Sequence, residues 1–313
     1  MSNEVETATE SPDVPQDEVN QKRGGLVAGI IRTARPRQWV KNVLVFAAPF
    51  TASKITEGHV LLNAAVAFVA FCLAASAVYF VNDAMDVEAD RAHPTKRHRP
   101  IAAGVLPVRL AYGVSIVLFL GALGLSLVAT WQLALVIAIY EVIQLGYCFG
   151  LKHQTVLDLC IVASGFLIRS IAGGAATSIA LSQWFLLVTG FGSLFMVSGK
   201  RYAEIMLFER TGAKIRASLA KYTPSYLRFV WATSAAVLIM SYGLWAFEIR
   251  LGHHPTWSSV SMIPFVLAVL RYAVDVDGGT AGEPEEIAMR DRVLQILGLA
   301  WVLSLGLAVY LPA

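Results

Sequence analysis

The segment VLLNAAVAFVAFCLAASAVYFVNDAMDVEAD, residues 60–90, decides the fold. From Val60 to Val81 it carries no charge, and it then closes on Asn82, Asp83, Asp86 and Asp90. An uncharged run near ~20 residues is long enough to cross a bilayer as a helix. On that helix positions 82, 86 and 90 fall one turn apart, and 83, 86 and 90 share nearly one face. Four oxygen-bearing side chains gathered there repel one another unless a hard cation sits between them. Mg²⁺ suits carboxylate and amide oxygens and keeps room for substrate phosphates, and Mn²⁺ is a workable substitute. Asn82, Asp83, Asp86 and Asp90 are therefore the candidate metal ligands, with Asp86 and Asp90 the candidate catalytic residues. The plain alternative is a solvated acidic helix end. Against it stand the position at the end of a span and the basic residues that follow: Arg91, Lys96, Arg97 and Arg99.

Working outward, the same apolar character fills the chain. Its 313 residues are 56% hydrophobic and 15% charged, too apolar for an ordinary soluble domain. About nine stretches approach the ~20 residues that a span requires: 39–53, 58–81, 106–129, 131–149, 155–176, 181–199, 226–248, 258–275 and 292–311. The expected fold is all-α and polytopic. The first stretch is short and holds Pro49. Residues 1–22 are polar, acidic and aperiodic, and read as a disordered tail. Residues 23–38 place Leu26, Val27, Ile30 and Ile31 on one side and Arg23, Arg32, Arg35 and Arg37 around the rest. That is the make-up of an interfacial amphipathic helix, which Pro36 should end. The transmembrane domain would then run over 39–313.

The formal charge of +3 hides an asymmetry. Of 25 Lys and Arg, only Lys54 and Arg250 fall in loops on one side of this topology. The positive-inside pattern puts the N-terminus and the acidic motif in the cytoplasm, and the C-terminus outside, in the plasma (inner) membrane. Basic residues spread over several membrane loops do not describe a nucleic-acid surface. Cys72, Cys148 and Cys160 lack metal or redox spacing and read as core thiols. His253-His254 has no evident chemistry. The Gly-rich acidic stretch at 275–291 lacks the regular ligand spacing of a calcium loop.

The remaining cations sharpen the picture. Lys41 opens the first span, Lys152 follows the fourth, and Lys200 and Arg201 close the sixth. Arg169 lies eleven residues beyond Asp158 in the fifth span, on the same helical face but ~16 Å away, too far for a pair within the helix. An ionisable residue in a span must face an interior cavity or a partner. A buried pair with an acid on another helix would satisfy Arg169, and snorkelling would satisfy Lys41 and Lys152. Taken with the acids, these cations suit a substrate bearing several phosphates.

The motif N-D-x-x-D-x-x-x-D at 82–90, ending the second of about nine helices, resembles that of the UbiA superfamily of intramembrane prenyltransferases. Members that prenylate an aromatic acceptor bear a second Asp-rich motif ending the sixth helix, where this chain has G-K-R-Y-A-E (199–204). R-P-R-Q-W-V-K-N-V-L-V (35–45), Y-C-F-G-L-K-H (147–153), G-F-L-I-R-x-I-A-G-G (165–174) and R-Y-A-V-D-V-D-G-G (271–279) look like the decaprenyl-phosphate phosphoribosyltransferases of mycobacterial type. So does A-D-R-x-H-P-T-K-R-x-R-P-I-A-A-G (89–104).

That resemblance implies helices that surround a central cavity. It implies transfer of 5-phosphoribose from 5-phosphoribosyl 1-diphosphate to decaprenyl phosphate, with Mg²⁺, with inversion, and in service of cell-wall arabinan. It implies donor binding by Lys41, Lys96, Arg97, Arg99, Tyr147 and Lys152, and lipid-phosphate binding by Arg169, Lys200 and Arg201. Membrane lipids are further partners. A homo-oligomer such as a trimer stays open. Two rivals remain: an aromatic prenyltransferase of the same superfamily, and a polytopic transporter, for which only Asp158, Arg169 and Glu141 approach a charged midplane site.

Overall fold

Uncharged runs set the architecture, and proline and glycine set its breaks. A computed structural model describes residues 25–211, 219–248, 255–278 and 290–311, together with Ile287. The acidic tail at 1–22, Arg23, Arg250, His253-His254, the C-terminal Pro312 and Ala313, and most of the Gly-rich stretch after Asp277 lie outside these residues. The described residues contain helices and no strand. In chain order the helices are α1 (Leu26–Ala34), α2 (Ala47–Thr51), α3 (Gly58–Met85), α4 (Val87–Arg91), α5 (Val108–Ala129), α6 (Trp131–Cys148) and α7 (Leu157–Thr177). They continue with α8 (Gln183–Thr211), α9 (Pro224–Glu248), α10 (Pro255–Asp277) and α11 (Arg292–Tyr310).

Seven of these helices (α3, α5, α6, α7, α9, α10 and α11) are long and apolar enough to cross a membrane. The protein is a multi-pass membrane protein. Two of the expected spans take another form. The stretch at 39–53 is not one α-helix: Pro36–Phe46 winds as a 3₁₀ helix and passes into the five-residue α2. The physical gain is reach. Sixteen residues of α-helix cover only ~24 Å, whereas eleven at ~2.0 Å plus five at ~1.5 Å cover ~30 Å, about one hydrocarbon thickness.

The stretch at 181–199 belongs to the 29-residue α8, which runs on to Thr211 and so holds Lys200 and Arg201 inside it. Ser, Thr and Gly dilute its apolar character. Their hydroxyls turn back on the helix, Ser193 to the Thr189 carbonyl at 2.6 Å and Ser198 to that of Leu194 at 2.5 Å, so these donors are satisfied within the helix.

α3 and α7 are the central helices, 67% and 61% buried along their apolar windows, against 22–33% for the other five. Centrality follows from small side chains. α3 buries Ala64, Ala67, Ala70, Ala74 and Ala77, which let neighbouring backbones approach where no hydrophobic drive separates helix from lipid. The closest approach is at Gly173 in α7. A Cβ there would lie 2.0 Å from the Val45 carbonyl oxygen, so the 3₁₀ segment and α7 meet backbone to backbone.

α1 ends at Ala34 because Arg35 takes a left-handed conformation (φ 53°, ψ 60°) and Pro36 follows. Leu26, Val27 and Ile31 are exposed, while Ile30 packs toward the end of α3 and the loop residues Ile101 and Leu106.

Candidate active site

The acidic motif is built differently from a single helical face. α3 ends at Met85, Asp86 leaves helical geometry (φ −90°, ψ 9°), and Asp90 sits on the separate α4. The turn-to-turn bonding survives the break: Asp86 N–H reaches the Asn82 carbonyl at 3.0 Å, and Asp90 N–H that of Asp86 at 2.8 Å. Among the described residues no three Asp, Glu, His or Cys side chains converge as a metal cage. Repulsion among the acids is relieved by protein cations instead.

Those cations divide the motif in two. The Asp83 carboxylate, 2% exposed, takes both its oxygens to Arg35 Nη2 (2.7 and 3.0 Å), and its Oδ1 also accepts from Arg99 Nη1 at 3.0 Å. The same Arg99 nitrogen donates to Asp90 Oδ2 at 2.8 Å. Arg99 thus bridges the two acids through one nitrogen. Asp86, 31% exposed, has one cationic partner, Lys152 Nζ at 2.6 Å.

Asn82 is half-buried beside Cys148, whose Sγ lies 3.9 Å from the amide oxygen. Asn82 and Asp86, less buried than Asp83 and Asp90, carry hard oxygen ligands of the kind Mg²⁺ prefers, and the lysine at Asp86 marks where a cation is wanted. These residues fit a metal bound together with a phosphate group. Lys96 and Tyr147 are half-buried at the same end of the bundle, and Arg97 is exposed there.

Deeper in the membrane lies a second polar group. Arg169, only 7% exposed, donates from Nε to Asn42 Oδ1 (2.7 Å), from Nη1 to the Gly165 carbonyl (2.5 Å) and from Nη2 to Tyr140 Oη (3.4 Å). Its hydrogen bonds all go to neutral groups. Phe71, Tyr140 and Phe166 surround the guanidinium, with ring centroids 5.3–5.8 Å from its carbon. Lys41 Nζ lies 5.9 Å from the same Phe166 ring. Lys41 and Arg169 thus share the Phe166 ring.

Arg201 is elsewhere. It faces Asp158 at 3.7 Å and Glu204 at 3.5 Å, three helical turns along α7 from Arg169. The structure does not bring Arg169 and Arg201 together; Lys200, half-buried, neighbours Arg201 in α8. Asp158 also accepts a hydrogen bond from Tyr222, whose oxygen in turn accepts the Val156 N–H at 2.7 Å. That bond holds Val156 at φ 73°, a conformation a β-branched residue adopts only under such constraint. Burial, then the hydrogen bond to Asp158, pushes the Tyr222 phenol well above its ordinary range.

Fold and site together define an all-helical membrane protein with a charge-paired acidic motif at one end of the bundle and a buried guanidinium beneath it. The chain belongs to the UbiA prenyltransferase family, whose match covers residues 43–290, and it is an enzyme. It is 60% identical to the decaprenyl-phosphate phosphoribosyltransferase of Mycobacterium tuberculosis over 298 residues, 94% of this chain and 98% of that one. It is 56% identical to the Corynebacterium glutamicum protein of the same name over 314 residues, 97% and 94% of the two chains. Among solved structures, a UbiA homolog from Archaeoglobus fulgidus bound to GPP and Mg²⁺ has the same fold, with TM-score 0.68 at 16% identity over 90% of this chain and 99% of that one.

Proposed function

We propose that the protein transfers 5-phosphoribose from 5-phosphoribosyl 1-diphosphate to decaprenyl phosphate. The identity of 60% over nearly the whole chain to an enzyme named for decaprenyl phosphate and phosphoribosyl transfer carries this reading. A phosphate oxygen of the lipid bonds to the anomeric carbon as the bond from that carbon to diphosphate breaks. A phosphate monoester is already anionic at neutral pH, so no general base is required. Attack from the face opposite the leaving group inverts the centre, and the product is a precursor for arabinan of the cell wall.

Asn82 and Asp86 would hold Mg²⁺, which when bound supplies neutralisation of the charge that grows on diphosphate. Lys152 would turn from Asp86 to the donor's phosphates, supported by Lys96 and Tyr147. Arg169, with Lys41, would receive the lipid phosphate: a guanidinium with no carboxylate partner among the described residues, held by neutral groups and aromatic faces within a span, suits an anion that arrives through the bilayer. The acidic end would face the cytoplasm of the plasma membrane, with α1 at the interface.

The test is incubation of purified protein with labelled 5-phosphoribosyl 1-diphosphate and decaprenyl phosphate, beside a parallel reaction with prenyl diphosphate and an aromatic acceptor. A labelled lipid in the first alone is the expected result. Product in the second alone would make the protein an aromatic prenyltransferase.

A further inference from the structure

Arg35 precedes the first span and shares no local spacing with the acidic motif, yet it is the closest partner of Asp83. Its Nη2 contacts both carboxylate oxygens, and its guanidinium stacks over Tyr79 with the ring centroid 4.5 Å from Cζ. The backbone takes the left-handed conformation that aims the side chain there. Arg99 completes the set from the opposite direction by bridging Asp83 and Asp90. Two acids and two arginines thus form a charge-balanced group at the end of α3. It joins three segments: the turn between α1 and the first span, α3 with α4, and the loop holding Lys96 and Arg97. In the same motif Asp86 has a single lysine partner and is the most exposed of the three acids.

We infer that Arg35 is a positioning residue: with Arg99 it locks Asp83 and Asp90, seats the 91–106 loop on the end of α3, and leaves Asp86–Lys152 as the pair that exchanges with a phosphorylated ligand. One guanidinium nitrogen shared between the two carboxylate oxygens while the plane lies over the Tyr79 ring makes the site suited to arginine, because an ammonium has no plane to stack. The inference rests on reading this end of the bundle as the diphosphate site.

Binding of inorganic diphosphate in saturating Mg²⁺, measured by calorimetry in detergent, tests it without any transfer reaction. Arg35→Ala is expected to weaken diphosphate at least tenfold and to speed trypsin cleavage between residues 91 and 99. Arg35→Lys should remain at least fivefold weak. Steady-state assays should show the same ordering in the donor KM, while the lipid KM moves less than twofold. Diphosphate affinity within twofold of wild type in Arg35→Ala, with unchanged cleavage, would overturn the proposal. If that variant does not fold, Tyr79→Leu keeps both charges and removes only the ring. It is expected to weaken diphosphate about threefold, and an unchanged affinity would overturn the proposal equally. Because diphosphate carries neither sugar nor lipid, these outcomes stand apart from success or failure of phosphoribosyl transfer.

Discussion

Asn42 and Arg169, 127 residues apart in the chain, are joined by a 2.7 Å hydrogen bond from the guanidinium Nε to the amide oxygen. The bond crosses from α7 to the 3₁₀ segment. It uses one edge of the arginine and fixes the plane of the fork, and an amide does not neutralise the charge as a carboxylate would. Loss of one contact to a charged group costs about 1.5–3 kcal/mol. Arg169→Ala is therefore expected to raise the KM for decaprenyl phosphate by ~10- to ~100-fold at saturating donor. Arg169→Lys should stay close to the alanine variant, because a point charge does not supply two parallel bonds. An unchanged lipid KM and rate would place the acceptor phosphate elsewhere.

Asp86→Ala should abolish transfer while the protein keeps its helical circular dichroism. EDTA should inactivate the wild type, with recovery on Mg²⁺ or Mn²⁺. Lys152→Ala keeps the oxygen ligands and removes the exchanging cation, so it should raise the donor KM. Full transfer by Asp86→Ala in saturating Mg²⁺ would end the metal assignment.

Arg201 tests a separate idea. Removing it leaves Asp158 buried without its charge partner, and breaking a buried pair costs about 3–5 kcal/mol. Thermal unfolding of Arg201→Ala should occur well below wild type. The double variant Arg201→Met/Asp158→Leu should recover most of that loss. For the molecules that remain folded, the lipid KM should move far less than in Arg169→Ala; an equal shift would return Arg201 to the lipid site.

The raised Tyr222 phenol gives a pH dependence with a defined sign. In the unfolded chain it ionises near ~10, and in the folded protein it holds its proton to higher pH. Its contribution to stability is complete below pH ~10 and is lost as pH rises from there through the folded value. Thermal unfolding measured from pH 8 to 11 should fall on the alkaline side. Tyr222→Phe should be less stable at pH 8 and decline less steeply. Parallel curves would remove Tyr222 as the cause.

Much of this was legible in the sequence. The uncharged run ending at Asn82 read as a span with an acidic end, and Arg169 read as a cation facing a cavity or a partner because it lies within a span. What stayed hidden was long-range pairing. Arg35 and Asp83 are 48 residues apart, and Arg99 reaches Asp83 and Asp90 only because α4 restarts after Asp86. The acids were therefore legible as candidate ligands, but the pairing of Asp83 and Asp90 through Arg99, and of Asp86 with Lys152, was not. The 3₁₀ winding of the first span was hidden as well, since periodicity alone does not separate it from a short α-helix with Pro49 inside it.

The glycine at 173 carries a consequence of its own. Val45 lies three residues beyond Asn42 in the 3₁₀ segment, and Gly173 four residues beyond Arg169 in α7. The bare contact between Gly173 and the Val45 carbonyl thus works as a depth gauge, setting how far one strand of backbone slides past the other. A methyl group at 173 would push the segments out of step by more than the tolerance of a 2.7 Å bond. Gly173→Ala, a change of one carbon that touches no charge, would read in a genetic screen as a lesion in lipid use.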